Sequence, residues 1–216
     1  MFGGRTQIAL IAGLAAGFTA SADAQLLFSF EDGVQDWEYA GFSSQPGSVA
    51  VSTNFATEGS QSLAITQNIS GFSWTATIDF FNGKQTDAFN ALIAAAANPN
   101  AEIAYDITYD PASTPSAYTF VNNSFSVQAP DFLQIDGVGL IGSGALDNGP
   151  VTLTVQEPLS SFNVDPSSTF ARLTLGLNGD WGRAPLTVYL DNVRIVPEPA
   201  SAGLLGLAGL ALLRRR

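Results

Sequence analysis

The stretch Val151-Thr152-Leu153-Thr154-Val155 alternates apolar and polar side chains without a break, and a period of two is that of a β-strand with one face on a core. It places Val151, Leu153 and Val155 inward. Working outward, Thr169-Phe170-Ala171-Arg172-Leu173-Thr174-Leu175 shows the same habit, with apolar Phe170, Leu173 and Leu175 and one slip near Ala171. Gly, Ser, Thr and Asn interrupt the chain roughly every 8 to 12 residues, the spacing of an all-β sandwich or barrel. Predicted strands cover 26–30, 48–53, 61–66, 72–80, 102–109, 117–121, 132–135, 151–156, 170–177 and 186–195. One helix is predicted over 88–97, with Thr86 and Asp87 as an N-cap pair and Asn98-Pro99 as its stop, placed to plug one end of the sandwich. Trp37 and Trp74 lie in or beside predicted strands and are assigned to the core. Gly137-Val138-Gly139-Leu140-Ile141-Gly142 has dinucleotide-loop spacing but no helix after it, and reads as a flexible connection.

Composition narrows the chemistry. The chain has 216 residues, 46% hydrophobic and 12% charged, with net charge −11 and neither Cys nor His. Disulfides, thiol nucleophiles, thiolate metal sites and imidazole catalysis are therefore excluded. The acidic balance excludes a nucleic-acid partner, whose phosphates need a basic face. Two-carboxylate hydrolysis remains open in principle. Glu102 and Asp106 share one strand face, but four residues of strand separate them by about 13 Å. That exceeds the roughly 5 to 9.5 Å that glycosidase mechanisms use, and no Glu-x-Asp-x-x-Glu strand is present.

Both ends read as delivery signals. Arg5, the apolar run 8–18 and the small-x-small pattern at Ala22 and Ala24 before Gln25 predict a secretory signal peptide over 1–24. At the other end Pro197 and Pro199 close the domain. Residues 202–213, all Ala, Gly or Leu, precede Arg214, Arg215 and Arg216. Such a helix is about 18 Å long and spans a bilayer marginally, with its arginines held on the cytoplasmic side. The domain between, 25–196, keeps 17 acidic and 4 basic residues, a net −13.

Pro197-Glu198-Pro199, a short apolar stretch and a terminal arginine cluster together resemble the PEP-CTERM sorting signal of Gram-negative bacteria that make extracellular polysaccharide. The resemblance implies export across the inner membrane, transient membrane contact through the C-terminal helix, processing by an exosortase, and delivery to the cell surface or matrix. The domain itself opens on Phe28-Ser29-Phe30-Glu31-Asp32-Gly33 with Trp37 following. It continues through Gly59-Ser60-Gln61-Ser62-Leu63 and closes on Tyr189-Leu190-Asp191-Asn192-Val193. These segments resemble the jelly rolls of the galactose-binding-like superfamily, which includes many non-catalytic carbohydrate-binding modules. That resemblance implies a structural calcium held by the Glu31 and Asp191 carboxylates with Gly33, Gly59 and Ser62, and with Asp36 and Glu58 as further donors. For a glycan partner, Trp181, in the turn-rich Asn178-Gly179-Asp180-Trp181-Gly182-Arg183, and Tyr109 are the candidate stacking aromatics; a Trp so placed also suits folding back over a sandwich edge. The expectation is an exported, non-catalytic protein of the exopolysaccharide or biofilm matrix that binds glycans or acts as a structural matrix protein. A small polysaccharide-degrading enzyme and an adhesive protein without sugar specificity are the alternatives.

Overall fold

The alternating stretch is strand β9 (Val151–Pro158), paired antiparallel along its whole length with β6 (Glu102–Tyr109). Val151, Leu153 and Val155 stand opposite Tyr109, Ile107 and Tyr105, so one face of both strands is apolar and packs on the core. The computed structural model describes residues 24–41, 47–80, 83–113, 120–141, 149–180 and 183–197. Around β6 a six-stranded sheet is completed by β11 (Leu186–Val196), β4 (Ser62–Gln67), β3 (Ser48–Ser52) and β1 (Gln25–Phe28). Its order is β3-β4-β11-β6-β9, with β1 paired to the far end of β11. The second sheet runs β2 (Glu38–Tyr39), β5 (Ser73–Asp79), β10 (Arg172–Gly179), β7 (Val121–Gln128) and β8 (Phe132–Ile141). All pairings are antiparallel, and the two inner faces enclose the core of this jelly-roll sandwich.

Core and helix follow from the aromatic start. Phe28, Phe30 and Trp37 are buried together, Phe28 meeting Phe30 at 6.3 Å and Trp37 at 5.7 Å between centroids. Helix α1 (Thr86–Ala96) lays Ala88, Ala91 and Leu92 on the core and stacks Phe89 near Phe80 at 6.1 Å. Its start differs from the predicted cap. Gln85 is the N-cap in a left-handed conformation, and the Thr86 hydroxyl donates back to the Gly83 carbonyl rather than capping the helix.

The strands differ from the sequence pattern in three places. Of the strand predicted over 117–121, residues 117–119 lie outside the described residues; the strand described next is β7, whose polar Asn122, Asn123, Ser124 and Ser126 broke the apolar signal, Asn123 facing the core and bonding Tyr105. The short strand β2 gave no periodic signal. Residues 137–141 belong to β8 and pair with β7 instead of forming a flexible connection. The signal and sorting segments, apart from Ala24, Gln25 and Pro197, lie outside the described residues, and no described helix is long and apolar enough to cross a membrane.

Candidate functional site

The outward face of the second sheet carries aromatic rings over small and polar side chains. One row across four strands is Asp79, Arg172, Gln128 and Phe132; the next is Thr77, Thr174, Ser126 and Gln134, with Glu38 at the edge. Trp74 stands beside Gly176 in the row after. The sequence reading placed Trp74 in the core, and simple alternation demands it, since Ala76 two residues on is fully buried. A bulge overrides the alternation. The β5–β10 register shifts between Leu175 and Gly176, leaving Thr75 as the extra residue, and a bulge of this kind turns the following side chain to the other face. Trp74 is thereby half-buried on the outside.

The rings form a cluster. Trp74 meets Phe72 edge-on at 5.3 Å and Phe132 at 5.8 Å with planes at 89°, although β8 lies three strands away from β5. Small residues make this possible. A Cβ on Gly176 would come within 2.9 Å of the Phe72 ring and 3.0 Å of Trp74. Phe132 is 51% exposed and Phe72 43%, so the rings form a contiguous exposed apolar patch rather than scattered single residues. Beside them lies an open groove of about 360 Å³ lined by Trp74, Phe132, Thr77, Thr174, Gln128 and Arg172. Ser126, in the same outward row as Thr174, is fully buried, and its hydroxyl has no hydrogen-bond partner among the described residues.

Arg172 and Asp79 form a two-pronged ion pair, Nη2 to Oδ2 at 2.7 Å and Nε to Oδ1. The Arg172 hydrogen bond holds the Asp79 carboxyl below the usual carboxylate range, and the same bond raises the guanidinium. Thr77 and Thr174 hydroxyls lie 3.0 Å apart between this pair and Trp74. Amides, hydroxyls and a charged pair under aromatic rings are the donor and acceptor set of a groove for a polyhydroxylated ligand.

The stacking candidates resolve differently. Tyr109 is fully buried in the core, because it lies on the inward face of β6 with Tyr105 and Ile107, so it is not a surface stacking residue. Trp181 lies outside the described residues. The pair weighed for hydrolysis separates as well: Glu102 is partly exposed and receives the Gln156 amide. Asp106, four residues along the same strand, is buried, sealed by Thr57, Thr154 and Asn192 with Arg194 at 3.6 Å. Burial pushes its carboxyl up, and those hydrogen bonds together with Arg194 outweigh it, leaving the group lowered.

Of the residues assigned to calcium, Glu31, Asp191, Ser62 and Asp36 have other partners, whereas the buried Oε2 of Glu58 has none among the described residues. Glu31 Oε1 accepts the amides of Ser60 at 2.7 Å and Gln61 at 2.6 Å, and Oε2 accepts the Ser60 hydroxyl at 2.9 Å. Asp191 Oδ2 accepts the amides of Thr57 at 2.6 Å and Glu58 at 2.8 Å, and Oδ1 that of Asn192 at 2.7 Å. Ser62 turns its hydroxyl to the Asn54 carbonyl, the Gly33 amide closes the turn on Phe30, and Asp36 receives the Gln85 amide. N–H dipoles aimed at a carboxylate stand where a cation would need open oxygens, and no three acidic side chains converge among the described residues. This arrangement does not fit the ion as the resemblance drew it. The two carboxylates staple the loop 57–61 across the sandwich edge.

No family model and no curated protein matches the chain. Solved structures do. A carbohydrate-binding module of the β-sandwich superfamily, described for promiscuous specificity, matches with TM-score 0.54 at 16% identity, over 82% of this chain and 64% of that one. This chain thus spans less than two thirds of that structure. The module CBM27-1 of Caldicellulosiruptor saccharolyticus, solved with mannohexaose, matches with TM-score 0.51 at 16% identity over 83% of this chain and 100% of its own. A module specific for non-crystalline cellulose, CBM28, gives TM-score 0.50 at 18% identity over 82% and 96%. At these identities the likeness is one of architecture, and it shows that the chain has the antiparallel β-sandwich fold of carbohydrate-binding modules.

Proposed function

We propose that this protein is an exported, non-catalytic glycan-binding protein of the cell surface or extracellular matrix, and that the outward face of the second sheet is its binding surface. One observation carries the reading: Trp74, Phe72 and Phe132 are gathered on the outside of the sheet beside a groove lined with hydroxyls, an amide and the Arg172 guanidinium. A pyranose has an apolar face that stacks on such rings and a rim of hydroxyls for such donors and acceptors. The unpartnered, buried Ser126 hydroxyl under the same face adds a polar group that a ligand hydroxyl or water would satisfy. The structures solved with mannohexaose or described as cellulose-specific share the architecture and support the same ligand class.

Delivery rests on the two terminal signals: cleavage after Ala24, and exosortase recognition of Pro197, Glu198 and Pro199 with Arg214, Arg215 and Arg216. The first strand begins at Gln25, the residue the predicted cleavage would leave first, which supports this division of the chain. Affinity electrophoresis through gels containing soluble mannan, xylan or hydroxyethylcellulose tests the binding, with a reducing-sugar assay alongside. Retardation without released reducing ends is the expected result. Released sugar would make the protein an enzyme, and free migration in every gel would make it a surface protein without sugar specificity.

A further inference from the structure

We propose that the groove admits uncharged glycan chains and rejects polyuronates, and that Asp79, by masking Arg172, is the residue that enforces this selection. The inference rests on the reading of this face as the glycan surface. Among the described residues that line the groove, Arg172 is the one with a charged side chain. Both of its bonding prongs are spent on Asp79, and the pair remains partly exposed, 42% and 27% of the two side chains. Glu38, on the edge strand beside Thr77, adds a second negative charge that acts on Arg172, and the Lys84 charge acts on Asp79. The four groups together carry no net charge. Arg183 and Arg194 are likewise paired, with Asp180 and Asp106.

A chain bearing a carboxylate on each sugar therefore finds no unmasked guanidinium among the described residues at the groove, and meets Glu38 and Asp79 with only Lys84 to offset them. Over the roughly 8 Å that physiological salt leaves unscreened, these local charges decide the encounter, and the domain's net −13 adds to the repulsion. An uncharged chain is served differently. The Asp79 carboxylate accepts and the spare guanidinium N–H groups donate side by side, which suits neighbouring ring hydroxyls that each do both.

The test is affinity electrophoresis of the full chain at fixed ionic strength, in gels of soluble mannan or hydroxyethylcellulose and in gels of alginate or polygalacturonate. Wild type is expected to be retarded by at least one neutral polymer and by neither polyuronate. The double variant Glu38→Gln with Asp79→Asn keeps an amide acceptor for Arg172 but removes two charges. It should gain retardation in a polyuronate gel, tightening the apparent Kd about tenfold or more and fading as NaCl is raised. Glu38→Gln alone, at an exposed edge position, should gain less and serves if the double variant melts early. Wild type held equally by polyuronates overturns the inference, as does a folded variant that still binds neutral polymer and gains nothing. Either result leaves glycan binding itself standing. No retardation of wild type in any gel removes both.

Discussion

Gly59 shows how closely this edge of the molecule is fitted. Its φ is +64°, and a Cβ there would lie 2.5 Å from Glu31 Oε1, so Gly59→Ala strains the backbone and displaces the carboxylate from Ser60 and Gln61. A loss of about 1–3 kcal/mol is expected in denaturant unfolding; an unchanged midpoint would remove the staple from the account. Gly176→Ala acts on the other face, pressing on Phe72 and Trp74, and should weaken glycan retardation while costing little stability. Charge gives a third expectation. Ser60 hydrogen bonding lowers Glu31, Arg172 lowers Asp79, and Asp106 is lowered because Thr154, Thr57, Asn192 and Arg194 outweigh its burial. A carboxyl lowered in the folded state contributes stability that is complete above its unfolded pKa, about 4, and is lost as pH falls through the folded value. The melting temperature should therefore be level from about pH 5.5 to 7.5 and fall below about pH 4, with a shallower fall in Asp106→Asn. A protein that melts higher at pH 3 than at pH 6 contradicts this.

The strands were legible where side chains alternate and became misleading where the backbone breaks alternation. Val151-Thr152-Leu153-Thr154-Val155 sits as read, and β6 has the bounds its pattern predicts. Trp74 was unreadable because a bulge leaves no mark in hydrophobic spacing; the only hint was Gly176 in the partner strand, a residue with no side chain to obstruct a ring. Tyr109 reads as a candidate stacking aromatic, whereas the parity it shares with Ile107 and Tyr105 buries it. Glu31 and Asp191 hold the loop that contains Gly59 through backbone N–H groups and the Ser60 hydroxyl, and backbone amides are the same in every sequence. The loop staple carries its own test. Carboxylates already satisfied by N–H donors gain little from a cation, so melting in EDTA and in calcium should coincide. A rise on adding calcium would show that the loop opens its oxygens to the ion.

Across the whole molecule, the division of labour follows from charge and surface. Half of the eight basic residues lie in the terminal segments, Arg5 and the three arginines at the end, and the domain is left strongly acidic. Among the described residues its three arginines are each paired with an aspartate, so what the second sheet offers a partner is aromatic surface and hydrogen-bonding groups. The buried side of that sheet makes the sandwich, and its outward side is free to vary around Trp74, Phe132 and the Thr77–Thr174 row without disturbing the core. The central claim, that this face binds glycan, is tested most directly by comparing wild type and Trp74→Ala in affinity electrophoresis through soluble mannan and hydroxyethylcellulose, with melting temperature as the control. Wild type should be retarded and the variant, with its fold retained, should lose about tenfold or more in affinity; equal retardation of the two proteins would contradict the account.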